Sequence, residues 1–473
     1  MNESKTVIMR IIVSKIVLTI LISCVNITKA DLAVTNVTII DTTGGPSKSN
    51  MTVLVTENRI AKISTSQESI FGDDVKIVDG SGKFLIPGLW DMHVHLVSKT
   101  YLPLFIANGV TGCREMAGSS KNLQWRKEWT EGRLLCPRLE IGSPHVDGPK
   151  PTFPDAAVAV RNPEEARATV RQLKNEGYDF IKIFHLLSRE AYLAVTDECK
   201  KNDIPFAGHL PFSLSAAEAV EAGLKSNEHL ICVLLSCSTH EDKYREELMG
   251  LIAAETPGWP IFEAWICQTE MYVQTFDKKK FELLNKHFAQ HNCWQCPTLS
   301  VTHSYANLDN ADFKNDPRSK YMPENTINSW TGNNDLTASL MKRHQKLLKL
   351  ITPMHKAGVR FLAGTDLGGP YLYPGFSLHD ELDMLVQAGL TPMEALQAST
   401  HNAAEYLGRI DSLGTIEQGK LADLVLLDAD PLADIRNTQK ICAVIFDGKL
   451  FEKVDIEKIL QNTKDLANNT KKK

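Results

Sequence analysis

Two histidines sit two residues apart in IPGLWDMHVHL (86–96), where His93 and His95 close an apolar run. Imidazole is a common metal ligand, and residues i and i+2 of a strand point to one face. Alone, the pair fits a ligand pair or two polar residues ending a strand. Partners elsewhere must decide. FIKIF (180–184) holds Lys182 inside an apolar run, FAGHLP (206–211) carries His209, SNEHL (226–230) carries His229, and FLAGTDLGG (361–369) carries Asp366. Most of these polar residues stand where an apolar run reaches its C-terminal edge. Together they would offer four imidazoles, a carboxylate and a lysine to one place, and the imidazoles and carboxylate are donor types that metal sites use. Singly, each has a plainer reading: a hydrogen-bonded loop histidine, a snorkelling lysine, a capping aspartate. Jointly, the plainer readings require separate accidents on strand after strand.

Convergence of such distant residues needs a scaffold that aligns many strand ends. Candidate strands lie at 88–95, 109–116, 138–144, 179–184, 204–209, 224–229, 295–301 and 359–366, with helical stretches such as PEEARATVRQLKNEG (163–177) between them. Alternating strands and helices of this number predict a (β/α)8 TIM barrel over 87–409, whose chemistry sits at the C-terminal strand ends. The extra sequence at 231–290 and 302–345 is expected to build the rim. The first of these carries Trp259, Trp265, Tyr272 and Phe276, aromatics expected mainly to pack locally. Short alternating runs before the barrel (31–86) and after it (410–455) each have an apolar face to cover, which predicts one composite β-sandwich domain. The lysine-rich end, 456–473, reads as a frayed tail.

The chain has 473 residues and a formal charge of −5, so it carries no global basic signature for nucleic acid. MRIIVSKIVLTILISCVNITKA places Arg10 and Lys15 before a short apolar run, as a signal peptide over 1–30 would. Cleavage after Ala30, or lipidation at Cys24 in a lipobox-like LISC, would each make the protein exported: periplasmic, lipid-anchored or secreted. Without Cys24 an odd number of the 10 cysteines remains, so they cannot all pair within the chain. Cys293 and Cys296 read as core thiols.

These residues resemble the amidohydrolase superfamily over roughly 32–450, in its imidazolonepropionase-like and prolidase-like branch. The resemblance rests on the His93-x-His95 pair, Lys182, His209, His229 and Asp366. It includes GVTGCREM (109–116), SLHDELDMLVQAGLTPMEALQAST (377–400) and GTIEQGKLADLVLLDADP (414–431). It implies a two-metal centre, with His93, His95 and Asp366 on one ion, His209 and His229 on the other, and an N6-carboxylated Lys182 bridging them. Imidazole and carboxylate donors suit zinc best. It further implies hydrolysis of a C–N bond in an amide, cyclic amide or small peptide such as an Xaa-Pro or other dipeptide, with Asp366 as proton shuttle. One departure is plain: His229 is followed by Leu230-Ile231-Cys232, not by the glycine and aromatic residue that prolidase-like members place near a dipeptide carboxylate. A homo-oligomer is expected.

Candidate substrate contacts are Arg114, which could equally support a ligand, and His145, His303 and Tyr305, which follow strands. His185 is expected at the rim, and His379 and His401 in structural roles. Ester or lactone cleavage would use nearly the same groups. A mononuclear deaminase would not need Lys182, and a non-catalytic binding protein on the same scaffold would not need the full donor set.

Overall fold

A computed structural model of the chain describes residues 31–68, 72, 74–330 and 334–469. The proposed signal segment lies outside them. Strand Leu89–Val94 pairs in parallel with Val110–Glu115, which pairs with Arg138–Ile141. A second parallel set runs Ala157–Ala159, His145–Asp147, Ile181–Ile183, Phe206–Gly208, Ser226–Glu228, Trp294–Cys296. Single bridges carry pairing between and beyond these sets: Gly142 with Phe180, Gln295 with Phe361, and Val94 with Leu367. Followed strand by strand, the pairing returns to Leu89–Val94.

Two expected strands differ. Residues 359–366 form no regular ladder: backbone bonds reach Gln295 on one side and Met92 and His93 on the other, but the Thr365 N–H goes to a side chain. Thr365 donates its N–H and hydroxyl to Asp91 at 3.0 and 2.7 Å, and Asp366 turns left-handed at φ 59°. Gly364 permits the close approach, since a Cβ there would stand 2.8 Å from the His93 nitrogen and 2.6 Å from Cys296 Sγ. The strand expected at 295–301 stops at Cys296, and Leu299–Ala306 is helical. The Glu381 carboxylate accepts from the N–H groups of Leu299 and Ser300 at 3.0 and 2.7 Å. It thereby satisfies donors that a helix start leaves open. Elsewhere local chemistry starts the helices: Asn162 with Pro163, Ser188, the Ser215–Glu218 capping box and the Thr391–Glu394 capping box.

Both chain ends contribute to one further sheet, ordered Lys449–Glu452, Ile441–Phe446, Leu424–Leu427, Phe84–Pro87, Leu32–Ile39, Lys48–Thr56, Arg59–Thr65, with Lys76–Asp79 also on Leu32–Ile39. It is a single continuous sheet that bends back on itself. Ile60 N–H donates to the Lys420 carbonyl at 2.9 Å, and Ala422 N–H to that of Asn58 at 2.8 Å. Val37, Val55, Ile60, Leu424 and Ile445 share the core it encloses. Within its described residues the end read as frayed is instead part of a helix, Lys453–Asn469, that buries Ile456 and Ala467; residues 470–473 lie outside them. Its apolar positions recur at helical spacing, and burying them outweighs the fraying of a charged end. No helix among the described residues is long and apolar enough to cross a membrane. Cys293 and Cys296 are buried free thiols.

His379 has the structural role its sequence position implies. It is buried, with Nδ1 on the Thr438 hydroxyl at 2.9 Å and Nε2 on the Asn108 carbonyl at 3.1 Å. Burial pushes its pKa from 6.5 down to about 4. Between those values the unfolded chain takes up a proton that the folded chain refuses, so this histidine costs stability as pH falls through 6.5. Buried Asp91 and Glu381, both pushed up to about 7, act in the opposite sense. The isolating comparison is therefore wild type against His379→Gln in denaturant titrations. The stability lost on substitution should be about 2 kcal/mol smaller at pH 5 than at pH 7.5. A difference that stays constant across that range would contradict the assignment.

Candidate metal and substrate site

The parallel strands deliver their polar ends to one place. His93 Nε2 lies 3.3 Å and His95 Nε2 2.9 Å from the same Asp366 oxygen, Oδ1. His93 Nε2 is buried without a properly directed hydrogen bond. The His229 ring centroid is 4.6 Å from that of His93 and 4.9 Å from that of His209. Lys182, His95, His145, His209, His229 and Asp366 all line one cavity of about 760 Å³. Backbone detail aims these groups. Gly208, at φ 141°, has no room for a Cβ, which would stand 2.2 Å from the Ile183 carbonyl oxygen, and it sets His209 at the strand end. His229 is left-handed at φ 59°. Alternation buries Ser226 and Glu228 on one face, and this turn swings the next side chain toward the cavity.

Each imidazole has a neighbour on its Nδ1 side. Glu228 Oε2 is 2.8 Å from His93 Nδ1, and Glu115 Oε1 is 3.8 Å from His95 Nδ1. His185 Nδ1 is 3.2 Å from His209 Nδ1, and Thr298 Oγ1 is 2.6 Å from His229 Nδ1. Thr298 donates its own proton to the Pro297 carbonyl, so it accepts from His229. His185 Nε2 reaches Thr152 Oγ1 at 2.9 Å, which fits His209 protonated on Nδ1 and His185 on Nε2. At hydrogen-bond distance, the partners of His93, His209 and His229 fix ring orientation and tautomer, leaving their Nε2 lone pairs for a cation. Burial, with Lys182 nearby, also keeps His209 and His145 well below the ordinary histidine range and therefore neutral. Burial likewise pulls Lys182 from 10.5 down to about 8.

The other expected contacts divide. His145 is buried, stacks on Phe184 with centroids 4.3 Å apart, and has no hydrogen bond to either ring nitrogen. Tyr305 lines the cavity. His303 is not among the lining residues; it is half-buried and stacks on His344 with centroids 5.0 Å apart. Arg114 does not reach the cavity either. It is fully buried and donates to the Met92 carbonyl at 2.6 Å, to Ser226 Oγ at 2.9 Å and to both Glu228 oxygens at 2.9 Å. Its role is to hold the carboxylate that holds His93. His185 is buried against His209 and not at a rim. The 231–290 insertion is helical, and its aromatics split: Trp259 and Trp265 line the cavity, while Tyr272 is buried core.

Sequence reasoning missed Glu228, Glu115, His185 as a support, and Arg343. An acidic residue inside an otherwise strand-like run was the available signal for Glu228 and Glu115. For Arg343, midway along the helix Asn334–Lys356, no local pattern marks it.

Fold and donor set together define an α/β protein with a histidine–carboxylate centre beside the C-terminal ends of parallel strands. The chain belongs to the amidohydrolase family, whose model matches residues 84–451. It is 35% identical over 129 residues to ochratoxinase of Aspergillus niger, covering 26% of this chain and 24% of that protein. It is 33% identical over 127 residues to imidazolonepropionase of Shouchella clausii, covering 24% and 27%. The matched segments thus span about a quarter of these curated relatives. Among solved structures, a Xaa-Pro dipeptidase with bound methionine in its active site superposes with a TM-score of 0.65 at 20% identity, covering 89% of this chain and 99% of that one. That likeness shows a TIM-barrel-like α/β fold.

Proposed function

We propose that the protein is an exported metal-dependent hydrolase of C–N bonds in amides, cyclic amides or small peptides, built on a closed (β/α)8 barrel. The observation that carries this reading is the set of imidazoles, each with a neighbour at Nδ1, two of which turn Nε2 toward one Asp366 oxygen. The bridges that return the parallel pairing to Leu89–Val94 support the barrel. The names of the relatives, imidazolonepropionase and ochratoxinase, support the family's amide chemistry.

His93, His95 and Asp366, whose donor atoms lie together, would hold one divalent ion, and His209 and His229 a second. The amine of Lys182, its pKa lowered by burial, favours the carbamate that would bridge them. When bound, such ions polarise a substrate carbonyl and acidify a water. The chain's own residues do the rest. Asp366 takes the proton of the attacking water and delivers it to the departing nitrogen, which then leaves as an amine and not as an amide anion. His145, buried and neutral with both ring nitrogens free, is placed to donate to the developing oxyanion. Trp259, Phe262 and Trp265 of the 231–290 insertion form an apolar part of the cavity lining.

The test is a hydrolysis screen of N-acyl amino acids, dipeptides and lactams with protein loaded with zinc, manganese or cobalt. Wild type should turn over at least one class, and chelated protein none. Lys182→Ala should lose activity and bind less metal in mass-spectrometric counts. Unchanged hydrolysis by the chelated protein or by Lys182→Ala would refute the mechanism. Export rests on the leader's composition, and mass spectrometry of the mature N-terminus distinguishes Cys24 from Asp31.

A further inference from the structure

The cavity contains a cation that the hydrolytic chemistry leaves unused. Arg343 is 2% exposed and lines the same wall as His229 and Asp366. Its Nη2 donates to the His229 carbonyl at 3.1 Å and sits 3.5 Å from that of Leu230. The guanidinium lies over the Trp265 ring, 4.4 Å from its centroid. Among the described residues no carboxylate pairs with it, and the charged forms that influence it are only the weak acids Cys232 and Tyr272. The other buried arginines differ. Arg114 holds Glu228 and Arg138 holds Asp423. Burying an unpaired cation is expensive, and such groups persist where a ligand supplies the missing charge. Burial lowers Arg343 to about 10, so it stays charged at neutral pH.

We propose that Arg343 anchors a carboxylate of the substrate, and that the substrate is an N-acyl or peptidyl derivative of an amino acid with an aromatic or large apolar side chain. A guanidinium presents paired N–H groups that match a carboxylate. Arg343 rests on the backbone of His229, which contributes an imidazole to the reacting centre, so its anion lies beside that centre. An α-amino acid leaving group has this form, with its carboxylate carbon two bonds from the departing nitrogen. Phe153, Phe184, Trp259, Phe262 and Trp265 supply the apolar wall for its side chain. Lys121, another basic residue lining the cavity, is exposed at the rim and stays hydrated.

The scissile bond in this assignment rests on the proposed hydrolase activity; the carboxylate anchor does not. The test compares N-acetyl-L-phenylalanine with N-acetyl-2-phenylethylamine, which lacks only the carboxylate. Wild type should favour the first by about tenfold or more in kcat/KM, Arg343→Met should lose that preference mainly through KM, and Arg343→Lys should keep part of it. Equal turnover of the two by wild type, or a preference undiminished in Arg343→Met, overturns the anchor and leaves the hydrolase standing. If neither compound is cleaved, calorimetry with 3-phenylpropionate and 3-phenylpropionamide reads the anchor alone. Tighter binding of the carboxylate by wild type but not by Arg343→Met supports it, and equal binding of the pair overturns it.

Discussion

Asp366→Asn should fold, retain much of its bound metal and lose turnover by between about 10²- and 10⁴-fold, the range a positioned proton-transfer group contributes. The carboxamide keeps the shape and one oxygen toward His93 and His95. It cannot accept a proton from water and pass it on. In the native site burial opposes ionisation of Asp366, yet the neighbouring imidazoles of His229 and His93, with His95 Nε2 at 2.9 Å, hold it well below the usual carboxylate range. It is therefore the anion of the centre at neutral pH. The measurement pairs kcat with metal content on the same preparation. Near-normal kcat in metal-loaded Asp366→Asn would remove the shuttle role. Loss of metal in parallel with activity would leave Asp366 as a ligand only.

The second large effect falls on stability. Arg114→Met should cost about 3–5 kcal/mol, because it strands the Glu228 carboxylate in a fully buried site. Glu228 is 0% exposed, and burial would raise its pKa, yet Arg114 and His93 drive it far below the carboxylate range. Adding Glu228→Gln removes the stranded charge, so the double variant should recover part of the loss. Denaturant titration of the two single variants and the double variant measures the coupling. A single Arg114→Met with wild-type stability, or strictly additive costs, would show that the pair is not coupled. Activity should fall as well, because Glu228 fixes the His93 ring.

Much of the donor set was legible in the sequence because strand geometry is local. An alternation of two residues places His93 and His95 on one face without knowledge of any other strand, and a polar residue closing an apolar run is visible in a short window. The N-terminal and C-terminal strand blocks were readable for a similar reason: each had an apolar face and nothing nearby to cover it. Legibility stopped where a side chain from far away replaced the local pattern. Asp91 takes the Thr365 N–H, which a regular last strand would give to a neighbouring backbone carbonyl. Glu381 caps Leu299–Ala306 and turns a strand-like run into a helix.

The sequence by itself determined which residue types stand at the strand ends, and so the class of chemistry. Only the tertiary structure decided how they are held and what they face. Glu228 lies 135 residues from His93, and Arg343 lies 114 from His229. No periodic pattern links positions so far apart. Arg114 shows the consequence. As a sequence position it could anchor a substrate or support a ligand, and its burial against Glu228 settles on support. Arg343, which looks like an ordinary basic residue of an amphipathic helix, becomes the unpaired cation of the cavity. The reason is electrostatic: a charge is costly or harmless according to what surrounds it, and packing alone fixes those surroundings.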